Sequence, residues 1–215
     1  PEPIHPQFGA TQGYQSLAML ERGFKMESLW APPSVIGVRA PGFGAQLLER
    51  LSEVPRTAVW DAICSTHRSV GTVRARRGRS LDPILRWHLH PDDVPVLREA
   101  LYTLARIFFA AGATHILPGV ARMGDTMRRV EEVEALRSDA VAPRDVVMGG
   151  NHVFCTTRMH GDPTKGVVDE LGRCHDLDNL YIADTAIFPR CPSVNPMYTA
   201  MALARRQAQA IAART

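Results

Sequence analysis

The sequence predicts an α+β fold: an antiparallel sheet with helices on one face, followed by a C-terminal strand, loop and helix. Through about residue 147, short β-branched and aromatic runs alternate with Pro and Gly turns. From residue 148 onward, a compact apolar run leads into a loop and an Ala-rich segment. Because 215 residues suffice for one large domain or two small ones, we divide the chain into 1–147 and 148–215.

The first region contains strand and helix patterns in alternation. Strands are predicted where alternating or aromatic-rich runs lie between turn residues, at 13–20, 24–30, 57–64, 70–76 and 84–90. Helices are predicted where apolar residues recur at helical spacing, at 44–51, 91–113 and 126–138. An antiparallel sheet covered by helices follows from this order.

Residues 34–51, SVIGVRAPGFGAQLLERL, predict a strand, a glycine turn and a helix. A dinucleotide-binding turn is the alternative, with Asp61 as the acidic residue about 20 positions on. That motif needs a third Gly for close packing of helix on strand, and Leu47 stands at its position. We therefore prefer a strand, turn and helix of an α+β domain.

The C-terminal region is predicted to contain a strand at 179–184, NLYIAD, and a helix that begins at Asn195-Pro196. Asn is a favourable N-cap, and Pro loses no hydrogen bond at the first helical position. A strand that is apolar on both faces belongs to a covered parallel sheet, which places ligands at the carboxyl ends of its strands. Because the first region supplies no other parallel strands, we expect the sheet to begin elsewhere in a larger protein.

Composition argues against several classes of partner. The formal net charge of +3 gives no global signal for nucleic acid, and no run approaches the ~20 apolar residues of a membrane span. The arginines of VRARRGR, at 74–79, are interpreted as a solvated strand end and turn because no aromatic residues are interleaved with them. The cysteines are scattered, with no C-x-x-C pair, which favours a reduced, cytoplasmic location and no metal site.

Residues 152–206 carry a specific resemblance. They read HVFCTTRMHGDPTKGVVDELGRCHDLDNLYIADTAIFPRCPSVNPMYTAMALARR. In order and spacing this run resembles the C-terminal signature of the glucose-methanol-choline (GMC) oxidoreductases: H-P-x-G-T-x-R-M-G, D-P, V-V-D, N-L-Y-V-x-D and N-P-x-x-T. The sequence departs from that pattern at Val153, where Pro is usual, and at Cys155 and His160, where Gly is usual. The upstream region is similar to the family's substrate domain more loosely.

The resemblance implies an enzyme that oxidises an alcohol by hydride transfer to FAD. Residues 1–147 would form the substrate domain, and 148–215 would complete a Rossmann-like FAD domain. The family's nucleotide-binding half, with its G-x-G-x-x-G, is the missing partner. Apolar and aromatic-rich strands favour a hydrophobic substrate, long-chain or sterol-like. The alternative is a noncatalytic fragment or partner-binding module.

The resemblance assigns catalytic roles to His152 and Asn195. His is the side chain whose pKa best suits acceptance of a hydroxyl proton, and Asn195 would contact the same hydroxyl, with N-capping as its alternative role. The resemblance also implies that the flavin lies at the start of the last helix, whose dipole favours negative charge on the ring. The residues expected to contact the cofactor are Asp184, Thr185, Ala186, Pro196 and Met197, with a plain turn residue as the alternative role of Asp184.

Overall fold

A computed structural model describes residues 12–29, 33–76, 78, 82–150 and 152–213. They fall into two compact units. The first contains the chain up to Ser65 together with Leu89–Met148, and the second contains Thr66–His88 together with the chain from Gly149 onward. The expected domains 1–147 and 148–215 refer to a longer protein and stay a prediction. In this chain, Thr66–His88 groups with the C-terminal residues instead of with the first unit.

The first unit is built on an antiparallel sheet in the order β1-β2-β3. The strands are β1 (Gln12–Ser16), β2 (Phe24–Leu29) and β3 (Trp60–Cys64). Since side chains alternate along a strand, Phe24 and Met26 share one face of β2 and pack in a core with Trp60. Lys25 and Glu27 point to the other face, where they are buried and paired with each other.

The Phe24 and Met26 face is covered by the longest helix, α3 (Val94–Ala110). Before it, a 3-10 turn at Pro91–Asp93 is capped by the ring of His90, whose Nδ1 accepts a hydrogen bond from the Asp92 N–H at 3.2 Å. One side of the helix meets the sheet through Ala100 and Leu104. Another side packs on the segment that follows it, in a core of Tyr102, Ala105, Ile116, Val120, Met127, Val133, Leu136 and Val141.

The expected strand at the start of 34–51 is wrong. Two helices, α1 (Pro33–Arg39) and α2 (Ala45–Ser52), occupy this segment, so that only the predicted helix at 44–51 is confirmed. A Cβ on Gly37 would lie 3.5 Å from Leu51 Cδ2, which shows how closely the two helices approach. The β-branched residues of α1 favour a strand, but packing against α2 overrides that preference.

The second unit has little regular structure. Its strands β4 (Val70–Arg74) and β5 (Ile84–His88) form an antiparallel hairpin, and its helix is α4 (Met197–Ala212). The loops between them are joined by single bridges, such as Val168 to Cys174 and Arg173 to Tyr181. Among the described residues, the bridge between Arg173 and Tyr181 is the only β-type pairing made by residues 179–184. The strand predicted for these residues is therefore wrong. A parallel strand needs neighbouring strands, and the described residues provide none there.

The coarse prediction of the fold class, helices combined with antiparallel sheet, is confirmed. The five expected strands all form, although the last two pair in a separate hairpin. The segment expected to be helical at 126–138 forms a 3-10 helix over Val130–Arg137. No helix within the described ranges is both long and apolar enough to cross a bilayer.

Candidate active site

The site residues predicted from the sequence lie in the second unit, where two segments run side by side. Residues 153–159 lie along the 3-10 turn Thr185–Ile187. The Thr185 hydroxyl donates to the Val153 carbonyl at 2.6 Å, the Thr157 N–H to the Ala186 carbonyl at 3.1 Å, and the Met159 N–H to the Ile187 carbonyl at 2.8 Å. These bonds fix the backbone that follows His152 against the turn that contains Asp184, Thr185 and Ala186.

His152 is exposed, and its position is set by its neighbours in the chain. Its ring centroid lies 6.1 Å from that of Phe154. The Phe154 ring in turn lies 5.6 Å from Phe188, which is buried in the core of the second unit with Val168 and Ile187. The backbone on one side of His152 is therefore anchored in a hydrophobic cluster, while the imidazole itself stays accessible.

The turn at Asp184 is held by its own side chain. Asp184 Oδ1 accepts a hydrogen bond from the Ala186 N–H at 2.6 Å and so caps the 3-10 turn. The second carboxylate oxygen accepts no hydrogen bond from the described residues. Asp184 thus fulfils the turn role that the sequence left open, and it keeps one oxygen for a further partner.

The last helix begins one residue later than the sequence predicted. Pro196 is the N-cap of α4 and Met197 its first residue, with no hydrogen bond from a capping side chain. The first hydrogen bond of the helix runs from the Ala200 N–H to the Pro196 carbonyl at 2.8 Å. The expected cap at Asn195 is therefore wrong. Asn195 precedes the helix and is half-buried. The amide that was expected to divide its role between capping and substrate is not used as the cap.

The segments that carry the predicted residues pack on one small core. Helix α4 packs through Ala200 and Leu203 on the cluster that also anchors Phe154 and the turn after Asp184. No hydrogen bond joins the side chains of His152 and Asn195 within the residues that the structure describes. Pro196 is buried, whereas Met197 is 59% exposed and accessible to a partner.

Sequence reasoning missed the backbone conformation at Cys155. This residue has φ of +63°, in the left-handed region that only glycine enters without strain. The signal was in the resemblance, because the family pattern has Gly at this position. His160 also replaces a family Gly, but its φ is not positive, so a side chain is accommodated there without backbone strain.

Cysteine chemistry at this site is restrained by burial. Burial raises the pKa of the Cys155 thiol, with nearby Arg158 acting in the opposite direction. Burial also raises the pKa of Cys191, and the Cys155 thiolate raises it further. Neither residue is an activated nucleophile, since activation requires a lowered pKa.

A second missed feature is the anchor of α4. Gln207 is 3% exposed, and its side-chain nitrogen donates to the Ile182 carbonyl at 2.9 Å. It lies over Gly172, whose φ is +74° and where a Cβ would sit 2.6 Å from that same carbonyl oxygen. Two features of the sequence could have indicated this anchor: Gln207 is a long amide in an Ala-rich helix, and Gly172 lies in a turn.

The described chain combines helices with antiparallel strands, and its C-terminal part consists of the loops and the helix that carry the signature residues. The sequence model of the family described as GMC oxidoreductase matches residues 67–204. The chain belongs to the GMC oxidoreductase family. The match includes the hairpin, α3 and the whole candidate site.

The curated relatives include a protein named as a GMC-type oxidoreductase and others named as oxidases. An uncharacterised GMC-type oxidoreductase of Mycobacterium tuberculosis is 34% identical over 85% of this chain, which spans 28% of that relative. A 6'''-hydroxyparomomycin C oxidase of Streptomyces lividus is 42% identical over 30% of the chain and 12% of its own length. A long-chain-alcohol oxidase of Arabidopsis thaliana is 28% identical over 55% of the chain and 17% of its own length.

A solved structure supports the fold. Pyridoxine 4-oxidase from Mesorbium loti superposes with a TM-score of 0.56 over 87% of this chain and 34% of its own, at 22% sequence identity. The chain thus has the fold of the corresponding third of that protein. In each comparison the chain spans a minor part of a longer protein.

Proposed function

We propose that this chain is the C-terminal portion of an FAD-dependent oxidoreductase that oxidises an alcohol by hydride transfer to the flavin. One observation carries the proposal: the Thr185 hydroxyl bonds to the Val153 carbonyl at 2.6 Å, which joins the segment of His152 to the Asp184 turn. This hydrogen bond connects the residue that follows the proposed histidine base to the turn proposed to contact the cofactor. The family membership supplies the reaction class.

The residues around the turn fit part of an FAD site. Asp184 keeps one carboxylate oxygen beyond its capping bond, and the first turn of α4 carries backbone N–H groups that lack intrahelical partners. A helix N-terminus stabilises negative charge. Asp184, Thr185 and Ala186 would hold the polar chain of the cofactor, and Pro196 and Met197 would lie beside its ring. When bound, FAD would supply the hydride acceptor.

His152 would receive the proton of the substrate hydroxyl. An exposed imidazole on an anchored backbone is free to reach substrate, and an imidazole nitrogen can accept a proton as a general base. Asn195 would hold the same hydroxyl through its amide, because that side chain is not used to cap α4. The two residues would orient the alcohol, and His152 would hold its hydroxyl proton.

The proposed domain division and substrate follow from the family. Residues 1–147 would form the substrate domain. Residues 148–215 would complete a Rossmann-like FAD domain, whose first half lies in the missing N-terminal partner. The Arabidopsis relative named as a long-chain-alcohol oxidase supports a hydrophobic alcohol. The Streptomyces relative named as a 6'''-hydroxyparomomycin C oxidase supports a substrate of that kind as the second candidate.

Replacement of His152 tests the assignment. In a full-length enzyme formed by joining an N-terminal flavin-binding half, we expect His152→Ala to slow anaerobic flavin reduction roughly 100- to 10,000-fold, because a positioned base contributes that factor. Stopped-flow absorbance measures the rate with saturating long-chain alcohol. His67→Ala, which removes an exposed histidine of the same unit, is the matched control and should leave the rate unchanged. A loss below about tenfold, with FAD still bound, would contradict a catalytic role.

The chain by itself tests the completeness of the cofactor site. We expect the 215 residues alone to bind FAD weakly or not at all, because one turn and one helix end provide only part of the contacts. Gel filtration with absorbance at the flavin band measures retention. Stoichiometric yellow flavin on the isolated chain would show that no missing half is needed. A full-length enzyme that holds FAD but oxidises no alcohol would favour the noncatalytic alternative.

A further inference from the structure

The lining of a cleft on the first unit contains none of the residues assigned to the proposed reaction. Its volume is about 470 Å³, within the size range of small-molecule sites. Helix α3 forms one wall, the turn Leu20–Arg22 another and the end of the 3-10 helix Val130–Arg137 a third. Three arginines and a single carboxylate are among its lining residues, namely Arg22, Arg106, Arg137 and Glu99.

The arginines of the cleft outnumber their acidic partners. Glu99 accepts from Arg22 through Oε1 at 3.2 Å and from Arg137 through Oε2 at 2.7 Å. One carboxylate therefore holds two guanidinium groups. Arg106 has no carboxylate partner among the described residues, and its NH1 atom donates instead to the Tyr102 hydroxyl at 3.3 Å. The lining carries excess positive charge that an anion would neutralise.

An aromatic platform holds two of these arginines in place. The Arg137 guanidinium lies over the Tyr102 ring, 4.3 Å from its centroid, and that of Arg106 lies 5.6 Å from it. Tyr102 is 9% exposed, and its hydroxyl donates to Glu134 at 2.8 Å, so the ring is fixed on both sides. Arginines that are already positioned lose less side-chain entropy when they bind an anion.

The rest of the cleft is apolar. Met19 and Ala110 contribute to its lining, and Ile107, one turn beyond Thr103, is 41% exposed. An exposed apolar wall beside a group of arginines matches a ligand with one charged end and one hydrocarbon end. An inorganic anion alone would leave this wall in water.

We propose that this cleft binds a small carboxylate that carries an apolar chain. Its carboxylate lies among Arg22, Arg106 and Arg137, and its chain lies against Met19 and Ile107. The proposal goes beyond the proposed oxidation, since none of these residues belongs to the site of that reaction. Its test therefore fails or succeeds independently of flavin chemistry.

The binding test uses the 215-residue chain and three probes. Isothermal titration with octanoate should give saturable binding at one site per chain. The neutral probe 1-octanol should bind at least about tenfold more weakly, because it lacks the charge-assisted hydrogen bonds. Inorganic phosphate should also bind more weakly than octanoate, since it leaves the apolar wall uncovered. Equal affinity for octanoate and octanol, or no binding of octanoate, would overturn the proposal.

Variants separate this cleft from general charge. We expect Arg106→Gln to weaken octanoate roughly tenfold or more, and Glu99→Gln to tighten it by removal of the competing carboxylate. Arg128→Gln removes the same charge from an exposed position outside the lining and should leave affinity unchanged. Arg106→Lys, which keeps the charge, should recover part of the loss, with circular dichroism confirming an intact fold in each variant. Equal losses for Arg106→Gln and Arg128→Gln would contradict a built site.

Discussion

The two units differ in how each buries its apolar side chains. In the first, a three-stranded sheet and a 17-residue helix enclose separate clusters on two sides of α3. In the second, loops joined by single bridges surround a core of Val168, Ile187 and Phe188. Its hairpin leaves both faces exposed, and its helix exposes Tyr198 at 79%. The sheet and α3 of the first unit pack on each other, although side chains elsewhere in that unit, such as Val38 and Phe43, are exposed. In the second unit the hairpin and α4 themselves present exposed apolar side chains.

The proposed place of the chain in a longer protein would account for this difference. Sheets and helices gain stability by mutual burial, and a signature loop with one helix has too little apolar area to bury by itself. The chain spans 28% of its Mycobacterium relatives. We therefore expect the second unit, which carries the proposed catalytic residues, to need the remainder of such a protein more than the first.

A matched pair of core substitutions measures the contrast, and it has the largest expected effect. Leu136 and Ile187 are both fully buried, one in each unit. We expect Leu136→Ala to lower the free energy of unfolding by about 4 kcal/mol and Ile187→Ala by about 2 kcal/mol, because a smaller core relaxes more around a cavity. Hydrogen exchange of α3 and α4 amides reads the two units separately.

The locality of each loss decides the interpretation. Leu136→Ala should accelerate exchange in α3 and leave α4 unchanged, while Ile187→Ala should do the reverse. Conservative Leu136→Met and Ile187→Leu, which keep the volume, serve as controls and should cost less than about 1.5 kcal/mol. If both alanine variants lower stability equally and at the same amides, the units fold as one and the contrast is wrong.

A partly buried carboxylate, Asp61, gives the first unit a pH dependence. Asp61 lies directly opposite Glu27 across β2 and β3. Burial, and then the charge of Glu27, raise its pKa to about 6, against the opposing effects of Lys25 and Arg39. A raised folded-state pKa means that the neutral form fits best. The first unit is therefore most stable below about pH 4 with respect to this group and loses that stability as the pH rises through about 6.

The substitution Asp61→Asn should remove this dependence. Above pH 6 we expect the variant to be more stable than the parent by about 1 to 2 kcal/mol, a figure reduced for the partial solvent exposure of the carboxyl. Urea unfolding at pH 4.5 and 7.5, followed by hydrogen exchange in β2 and β3, measures the difference. Asp176→Asn, at an exposed position of the second unit, should show no such gain. An unchanged pH profile in Asp61→Asn would assign the dependence to another group.

The sequence was informative where local pattern and packing agree. Alternation and turn residues located β2, and helical spacing located α3, because the apolar side chains of each lie on the face that packs in the core. Pattern failed for α1, whose β-branched residues were placed in a helix by contact with α2. It also failed at 179–184, where the strand needs partners that the described part of this chain does not contain.

The members of the candidate site come from the signature and stay a prediction, whereas the structure shows how the backbone holds them. A signature of fixed spacing located His152 and Asp184, which the structure places on adjoining backbone segments. It did not reveal that Pro196 caps α4 or that Gln207 anchors it, since both depend on where the helix meets the loops. Fine register at a helix start is set by tertiary contacts that no local rule contains.

Backbone strain at Cys155 is the smallest effect and the one closest to the site. With φ of +63°, any L-residue here is strained by about 1 to 2 kcal/mol, whereas Gly is not. The thiol also packs on the core of the second unit, so the effect of Cys155→Gly alone would combine strain relief with lost packing.

Comparison with Cys155→Ala isolates the strain, because both variants lose the thiol. After allowance for the greater freedom of unfolded Gly, we expect Gly to exceed Ala in stability by about 0.5 to 1 kcal/mol. The same pair at His160, where φ is not positive, should favour Ala. Ala equal to or better than Gly at position 155 would show that the loop relaxes, and that the second unit does not hold the backbone beside His152 as firmly as its hydrogen bonds imply.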